Sequence, residues 1–171
     1  AEGPEVISIW KQKLAEKLGS NGKVIAETIP ELELIAGVQP AVPDLQPGEA
    51  LKRFNTVFLK LVSCLATDEH PLVIFLDDMQ WADPPSLELI ERLLTDPGTS
   101  HLLVIGAYRD NLVDANHHLM KKLQELRSAS VPMATITLKP LSIDFVNALI
   151  SETLSMSQAE CRHLSEACFE K

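Results

Sequence analysis

Two short, uninterrupted apolar runs limit the fold of this chain more than any other feature. They are LVIFL at residues 72–76 and LLVIGA at residues 102–107. Each run is too short for a helix, and its unbroken apolar character is typical of a strand that is buried on both faces of a sheet. We therefore predict two strands in the middle of the chain.

The residues between the two runs have the features of a helix. Asp83 can cap its first turn, and Pro84 suits its first position. Leu87, Ile90 and Leu94 follow as an apolar stripe at helical spacing. The two strands are therefore joined by a helical crossover, which is the connection that parallel strands need.

The same alternation continues beyond the second strand. Residues 116–129 predict another helix, and the segment MATITLKPL at residues 133–141 predicts a third strand. A chain of alternating strands and helices predicts an α/β fold, in which helices cover a parallel sheet and the crossovers are right-handed.

The flanking segments are predicted to be mostly helical. A stripe over residues 4–18 ends at Gly19, and four prolines indicate that residues 30–48 are mostly loop. Apolar residues recur at helical spacing from Leu51 to Leu65 and predict a long amphipathic helix. Ser142 can cap a further helix, and the helical stretches after it are residues 145–154 and 158–169.

Composition excludes some classes of function. The 171 residues are 46% hydrophobic, which is enough for a real core, and the net charge is -9. That charge, without a basic cluster, argues against a nucleic-acid surface. No apolar stretch approaches the length of a membrane helix, so we expect no membrane segment and a cytoplasmic location.

Charged residues follow both predicted strands. Asp77 and Asp78 come directly after the first, and Arg109 follows the second. In an open parallel sheet, ligands bind outside the carboxyl ends of the strands. One aspartate there can hold magnesium through water, the next can orient an attacking water, and the arginine can neutralise a terminal phosphate.

His117 and His118 have no further ligands in view, and a solvated position is favoured for both.

Local packing offers a second explanation for several of these residues. For Asp77 and Asp78, a solvated loop position and a functional acidic site are equally open. Capping of the next helix is the favoured role of Asp83, and Trp81 is expected to pack under the loop. Arg109 could equally pair with a nearby surface carboxylate, a contact that is worth little.

A phosphate-binding loop is missing from the sequence. Such a loop needs the pattern G-x-x-x-x-G-K-[ST] between a strand and a helix. The nearest stretch, KLGSNGKVI, places Lys17 where the first glycine belongs and Val24 where the hydroxyl belongs, and a helix precedes it. A turn after a helix explains this stretch fully.

The order of the motifs resembles a known family. VIFLDDMQWAD, then LLVIGAYRDN, then ITLKPLS are similar to the second half of the ATPase core of signal-transduction NTPases of the AAA-like, STAND type. Upstream, NGKVIAETIPELELIAG and PGEALKRFNTVF resemble the ATPase module of very large bacterial signalling proteins. Those proteins join a serine/threonine kinase domain, this module, a GAF domain and a sensor histidine kinase.

This resemblance implies roles for three residues. Asp77 would be the Walker B aspartate that holds magnesium through water, Asp78 would occupy the catalytic acidic position, and Arg109 would be the sensor at the tip of the following strand. The cofactors would be ATP and magnesium. The module would act as a nucleotide-controlled switch between signalling domains.

The resemblance also implies a division of the chain. Residues 1–70 would be a helical segment and proline-rich loop inserted in the ATPase core, residues 71–141 the core sheet with its Walker B and sensor strands, and residues 142–171 the start of a helical lid.

The resemblance further implies that the phosphate-binding loop lies upstream, in a larger protein. We therefore expect this piece alone to be inactive and to bind no ATP, whereas the intact protein does. The expected partners are other domains of the same polypeptide. An uncovered sheet edge would also be available for pairing with another copy.

Two other classes of function remain open. One is a non-catalytic interaction module in which the stripe from Leu51 to Leu65 contacts a partner. The other is a receiver-like phosphoacceptor domain, with Asp77 and Asp78 at a strand end, Asp110 as the acceptor, and the Lys139-Pro140 pair near the last strand. The spacing after Asp110 has room for one helix and one strand, which is too few for that fold.

Overall fold

The computed structural model of the protein describes residues 4–169. These residues form two compact units, one extending to Pro132 and the other beginning at Met133. In chain order the elements are α1 Pro4–Leu18, α2 Gly22–Ala26, α3 Leu32–Ala36, α4 Pro47–Leu65, β1 Leu72–Leu76, α5 Pro84–Thr95, β2 Leu102–Gly106, α6 His118–Ser128, α7 Ile143–Leu154 and α8 Gln158–Phe169. No helix within the described range is long and apolar enough to cross a membrane.

The first four helices form one cluster, which we call the N-terminal helical cluster. Their apolar stripes meet in a core whose buried members are Leu14, Leu18, Ile25, Leu32, Val57, Leu61 and Cys64. The helix predicted over residues 4–18 and the long amphipathic helix predicted from Leu51 to Leu65 are confirmed as α1 and α4. Most of the stripe on α4 faces this core, and only Leu51 at its start is exposed. The stripe therefore stabilises the fold itself.

Turns separate the helices of this cluster. α1 ends before Gly19, whose φ of 55° lies in the left-handed region that favours glycine. The KLGSNGKVI stretch is a 3₁₀ turn followed by α2, as the sequence indicated. The proline-rich region is mostly loop as predicted, although it also contains the short helix α3.

The two predicted strands form a parallel pair. β1 and β2 align in register, with Leu72 opposite Leu102 and Leu76 opposite Gly106. α5 connects them, as the alternating pattern predicted. Below the strand ends, a second core contains Met79, Leu87 and Leu119, and further apolar residues from the strand ends, α5 and α6 pack against it.

One face of this sheet is bare, contrary to the prediction of strands buried on both faces. Leu72, Ile74 and Leu76 are half-buried, whereas the alternate residues Val73 and Phe75 are 56% and 61% exposed. β2 repeats the pattern, and Leu103 and Ile105 are also exposed. Apolar runs without polar alternation fit two covered faces, but within the described residues helices cover only one.

A charged cluster joins α5 to α6. The Lys122 ammonium donates to the Glu91 carboxylate at 2.6 Å and lies 2.6 Å from the Glu125 carboxylate. These two hydrogen-bonded partners raise the pKa of Lys122 above its ordinary value. The cluster therefore fixes α6 beside the helix that follows the acidic pair.

The predicted third strand at residues 133–141 is wrong. Residues 131–142 contain no strand, and Ile136 and Leu138 are 84% and 89% exposed. A period-two alternation of apolar residues specifies the directions of side chains but supplies no partner for the backbone, and Pro140 lacks an N–H to donate. The fold is thus α/β with a two-stranded parallel sheet in the described range.

The second unit is a helical hairpin of α7 and α8. Ser142 caps α7 by accepting a hydrogen bond from the Phe145 N–H, as the sequence predicted. Between the helices, the buried Asn147 amide donates to the Gln158 carbonyl at 3.0 Å and accepts from the Ser165 hydroxyl at 2.9 Å. These contacts satisfy the polar groups that the hairpin buries.

Candidate functional site

The charged residues that the sequence places after the two strands do share one edge of the sheet. Strand pairing continues past the regular ladder, because the Ala107 N–H donates to the Leu76 carbonyl at 2.8 Å and the Met79 N–H donates to the Ala107 carbonyl at 2.9 Å. The loop that carries Asp77 and Asp78 is therefore held directly beside the one that leads to Arg109. We call Asp77, Asp78 and Arg109 the strand-end site.

Gly106 allows the two loops to approach closely. A Cβ atom added at this glycine would overlap the sulfur of Met79, which packs over the end of β2. Met79 is itself buried in the core below the loop. The absence of a side chain at the end of β2 thus leaves room for the Met79 side chain beside the site.

Asp78 and Arg109 form the central contact of the site. The Arg109 Nε lies 3.8 Å from the Asp78 Oδ1, and their side chains are 70% and 53% exposed. Asp78 has a φ of 51° and a ψ of 38°, which is a left-handed conformation that few residues other than glycine adopt. Both charged groups are accessible to a ligand from solvent.

Asp77 lies at the same edge with a different environment. Its Oδ1 accepts a hydrogen bond from the Asp78 N–H at 2.8 Å, and the residue is exposed. That contact fixes the carboxylate against the loop. It leaves Asp77 on the solvent side of the site.

Gln80 is a member of this region that sequence reasoning missed. Its Nε2 donates to the Asp78 Oδ1 at 2.7 Å, and its Oε1 accepts from the Arg109 N–H at 3.1 Å. The residue is only 3% exposed. No periodic pattern marks such a residue. Its carboxamide has both a donor and an acceptor, and in the sequence it lies between an acidic pair and the start of a helix. That combination was the only indication of its role.

The residues that follow the turn start α5. The Asp83 carboxylate accepts a hydrogen bond from the Ser86 N–H at 3.1 Å, which confirms the predicted cap. Hydrogen bonds from the Ser86 side chain and backbone lower the pKa of Asp83 below its ordinary value. The His118 Nε2 donates to the Ala82 carbonyl at 2.6 Å, so α6 is tied to this loop. The ring of His117 caps α6 and is partly buried.

Trp81 does not pack under the loop as expected. Its side chain is 76% exposed, and it lines a cavity of about 360 Å³ together with Asp77, Asp78 and Ser86. The buried positions in this turn are taken by its neighbours Met79 and Gln80. The indole is therefore available at the rim of the strand-end site.

The strand-end site offers few protein ligands for a metal ion. Among residues 4–169, no group of three or more His, Cys, Asp or Glu side chains is arranged to hold a metal ion. Magnesium usually keeps several waters and takes one or two protein carboxylates together with substrate phosphates. Asp77, which is exposed at the end of β1, could supply one such carboxylate.

Comparison with known proteins identifies the family of this chain. A family model for the AAA ATPase domain matches residues 2–105, more than half of the chain. The chain belongs to the AAA ATPase domain family. The part of this AAA ATPase domain that the match covers contains Asp77, Asp78 and Gln80, and it ends before Arg109.

The AAA ATPase domain also has a relative in a signalling protein. It is 42% identical over 91 residues to hybrid signal transduction histidine kinase G of Dictyostelium discoideum. The alignment covers 53% of this chain and 3% of the relative, so the likeness concerns a small part of a much longer protein. No solved structure gives a significant match.

Proposed function

We propose that this chain is the Walker B and sensor part of a STAND-type ATPase module, which acts as a nucleotide-controlled switch in a multidomain signalling kinase. The observation that carries the proposal is the 3.8 Å contact between Asp78 and Arg109 at the carboxyl ends of two paired parallel strands. Membership of the AAA ATPase domain family and the likeness to a signalling histidine kinase support it.

Each residue of the strand-end site has a proposed role. Asp77 holds magnesium through water, and the ion supplies charge neutralisation for the phosphates when it is bound. The Asp78 carboxylate orients and polarises the attacking water. The Arg109 guanidinium neutralises the terminal phosphate of ATP.

The contact between Asp78 and Arg109 suggests how the site could act as a switch. In the structure the guanidinium lies near the Asp78 carboxylate. A terminal phosphate competes for the same guanidinium, and its binding would release the Asp78 carboxylate toward water. Hydrolysis and phosphate release would restore the pair. A switch of this kind depends on which state the ligand binds more tightly.

Variants of the full-length protein test these roles. Asp77→Ala should abolish magnesium-dependent ATP binding measured by calorimetry. Asp78→Asn should leave ATP affinity near the wild-type value and slow turnover about 100-fold or more, because it removes the base while keeping a polar group of the same size. Asp44→Ala is the control for charge removal, because the Asp44 carboxylate is exposed in a loop outside the strand-end site. Unchanged turnover in Asp77→Ala would contradict the proposal.

The location of the phosphate-binding loop needs its own test. We propose that ATP and magnesium bind the intact protein and not residues 1–171 alone, because the sequence lacks the G-x-x-x-x-G-K-[ST] pattern. ATP with magnesium would be titrated into this chain and into a version extended upstream. Binding to the longer version only is expected, whereas tight binding to the short chain would place the phosphate site elsewhere.

The other two functions have less support. The α4 stripe proposed to contact a partner packs mainly within the N-terminal helical cluster. The receiver-like alternative needs a strand leading to Lys139, and residues 131–142 contain none.

A further inference from the structure

Gln80 is one of the few buried polar residues among those that the structure describes, and it lies between the two strand ends. It is 3% exposed, and both ends of its carboxamide have partners. One partner is the side chain of Asp78, two residues before it. The other is the backbone of Arg109, which belongs to the segment after β2. The side chain therefore bridges two halves of the strand-end site.

An amide side chain suits this bridge. The Asp78 carboxylate accepts a hydrogen bond and the Arg109 N–H donates one, and glutamine offers one donor and one acceptor at the right length. A glutamate at this position could still accept from the N–H, but it would place a second negative charge against Asp78. An apolar side chain would remove both hydrogen bonds and leave the Arg109 N–H without its side-chain acceptor.

The Gln80 bridge holds the backbone of Arg109 and the carboxylate of Asp78, but it does not hold the Arg109 guanidinium. The N–H of Arg109 is held by Gln80, yet its guanidinium side chain is 70% exposed. A second hydrogen bond, from the Met79 N–H to the Ala107 carbonyl, also connects the two strand ends. The arginine side chain can therefore move between Asp78 and a ligand without displacing the loop that carries it.

We infer that Gln80 is a positioning residue that sets the Asp78 carboxylate and the Arg109 backbone at a fixed separation. This inference rests on the proposed function, and it adds that the acid and the sensor arginine are aligned by one carboxamide before the nucleotide arrives. The residue touches neither substrate nor metal in this scheme. Its effect on turnover passes through Asp78.

The test compares three substitutions in the full-length protein. Gln80→Glu keeps the size of the side chain and replaces its donor with a charge. Gln124→Glu makes the same chemical change on the exposed face of α6 and serves as the matched control. Asp78→Asn is combined with Gln80→Glu, because an asparagine amide can donate to the new carboxylate. ATP turnover is measured below the unfolding temperature of every variant, together with the unfolding temperatures themselves.

We expect Gln80→Glu to lower kcat about 10- to 100-fold, as loss of an orienting partner commonly does, while KM for ATP changes little. It should also lower the unfolding temperature, and adding Asp78→Asn should recover most of that loss. Gln124→Glu should match the wild type in both measurements. A folded Gln80→Glu variant with wild-type kcat would overturn the inference, since a residue that only stabilises the loop would behave in this way.

Failure of the proposed function gives a different result. If the wild type shows no ATP turnover, or if Asp78→Asn leaves turnover unchanged, the catalytic role of the site is wrong. The unfolding temperatures then still decide whether Gln80 and Asp78 are coupled. If Gln80→Glu lowers the unfolding temperature equally with and without Asp78→Asn, the bridge is wrong as well.

Discussion

The N-terminal helical cluster and the sheet solve the problem of burying apolar residues in different ways. The core of the cluster has seven buried residues from four helices, whereas the core beside the sheet has three and covers one face only. The opposite face of the sheet presents Val73, Phe75, Leu103 and Ile105 to solvent. The cluster also exposes some apolar residues, such as Leu34, but its four helices share one core, whereas one whole face of the sheet that carries the strand-end site is uncovered in the described residues.

Alanine substitution of one buried residue and of one exposed residue tests this difference most strongly. Ile25→Ala in the cluster should lower the free energy of unfolding by about 2–5 kcal/mol, because Ile25 is fully buried and its loss leaves a cavity. Phe75→Ala on the bare face should lower it by only about 1 kcal/mol, because most of that side chain is already in solvent and the loss is mainly that of strand propensity. Chemical denaturation of this chain measures both values. A comparable loss for Phe75→Ala would mean that the bare face is covered in solution.

Two glycines give the next largest contrast. Gly106→Ala should destabilise the sheet by about 1–3 kcal/mol, since the added methyl group overlaps the Met79 sulfur. Gly48→Ala in the first turn of α4 meets nothing within 4 Å, and it should stabilise the chain by about 0.4–1 kcal/mol. The unfolding midpoints of the two variants should move in opposite directions. If both unfolding midpoints moved in the same direction, the proposed difference in packing between the two regions would be wrong.

The smallest effect concerns acid stability at the start of α5. The lowered pKa of Asp83 means that its cap contributes stability above the unfolded pKa of about 3.9 and loses it as pH falls through the folded value. Asp83→Asn keeps a capping oxygen and removes this titration. Its unfolding temperature should therefore depend less on pH than that of the wild type below about pH 4. Asp44→Asn, in an exposed loop, is the control, and an equal change there would contradict the assignment.

Regular periodicity made much of the fold predictable from the sequence. The helical stripes of α4 and α5 and the apolar runs of β1 and β2 each appear in the structure near the predicted bounds. The capping residues Asp83 and Ser142 also act as predicted. In all these cases the pattern lies within one segment, where local geometry decides the outcome.

Features that depend on a second segment were less predictable. The segment at residues 133–141 has the alternation of a strand, but strand formation needs a neighbouring backbone that no alternation can specify. The covering of both faces of β1 likewise depends on which helices are present. Trp81 was expected to pack under the loop, yet its neighbours Met79 and Gln80 occupy the buried positions of the turn.

The site itself was predictable in part. The sequence predicts that Asp77, Asp78 and Arg109 share one sheet edge, because parallel strands end at the same side, and the structure places them there. Their proposed roles remain predictions. The Gln80 bridge could not be derived, since it depends on a hydrogen bond between residues 80 and 109 that only the register of the strands creates.

The exposed indole of Trp81 gives the chain a built-in optical probe. The sequence contains two tryptophans, and Trp10 packs against the core of the helical cluster while Trp81 lines the cavity beside the acidic pair. Emission from a half-buried indole differs in wavelength and in access to a quencher from that of an indole in water. Fluorescence can therefore follow the helical cluster and the strand-end site separately in one sample, without an added label.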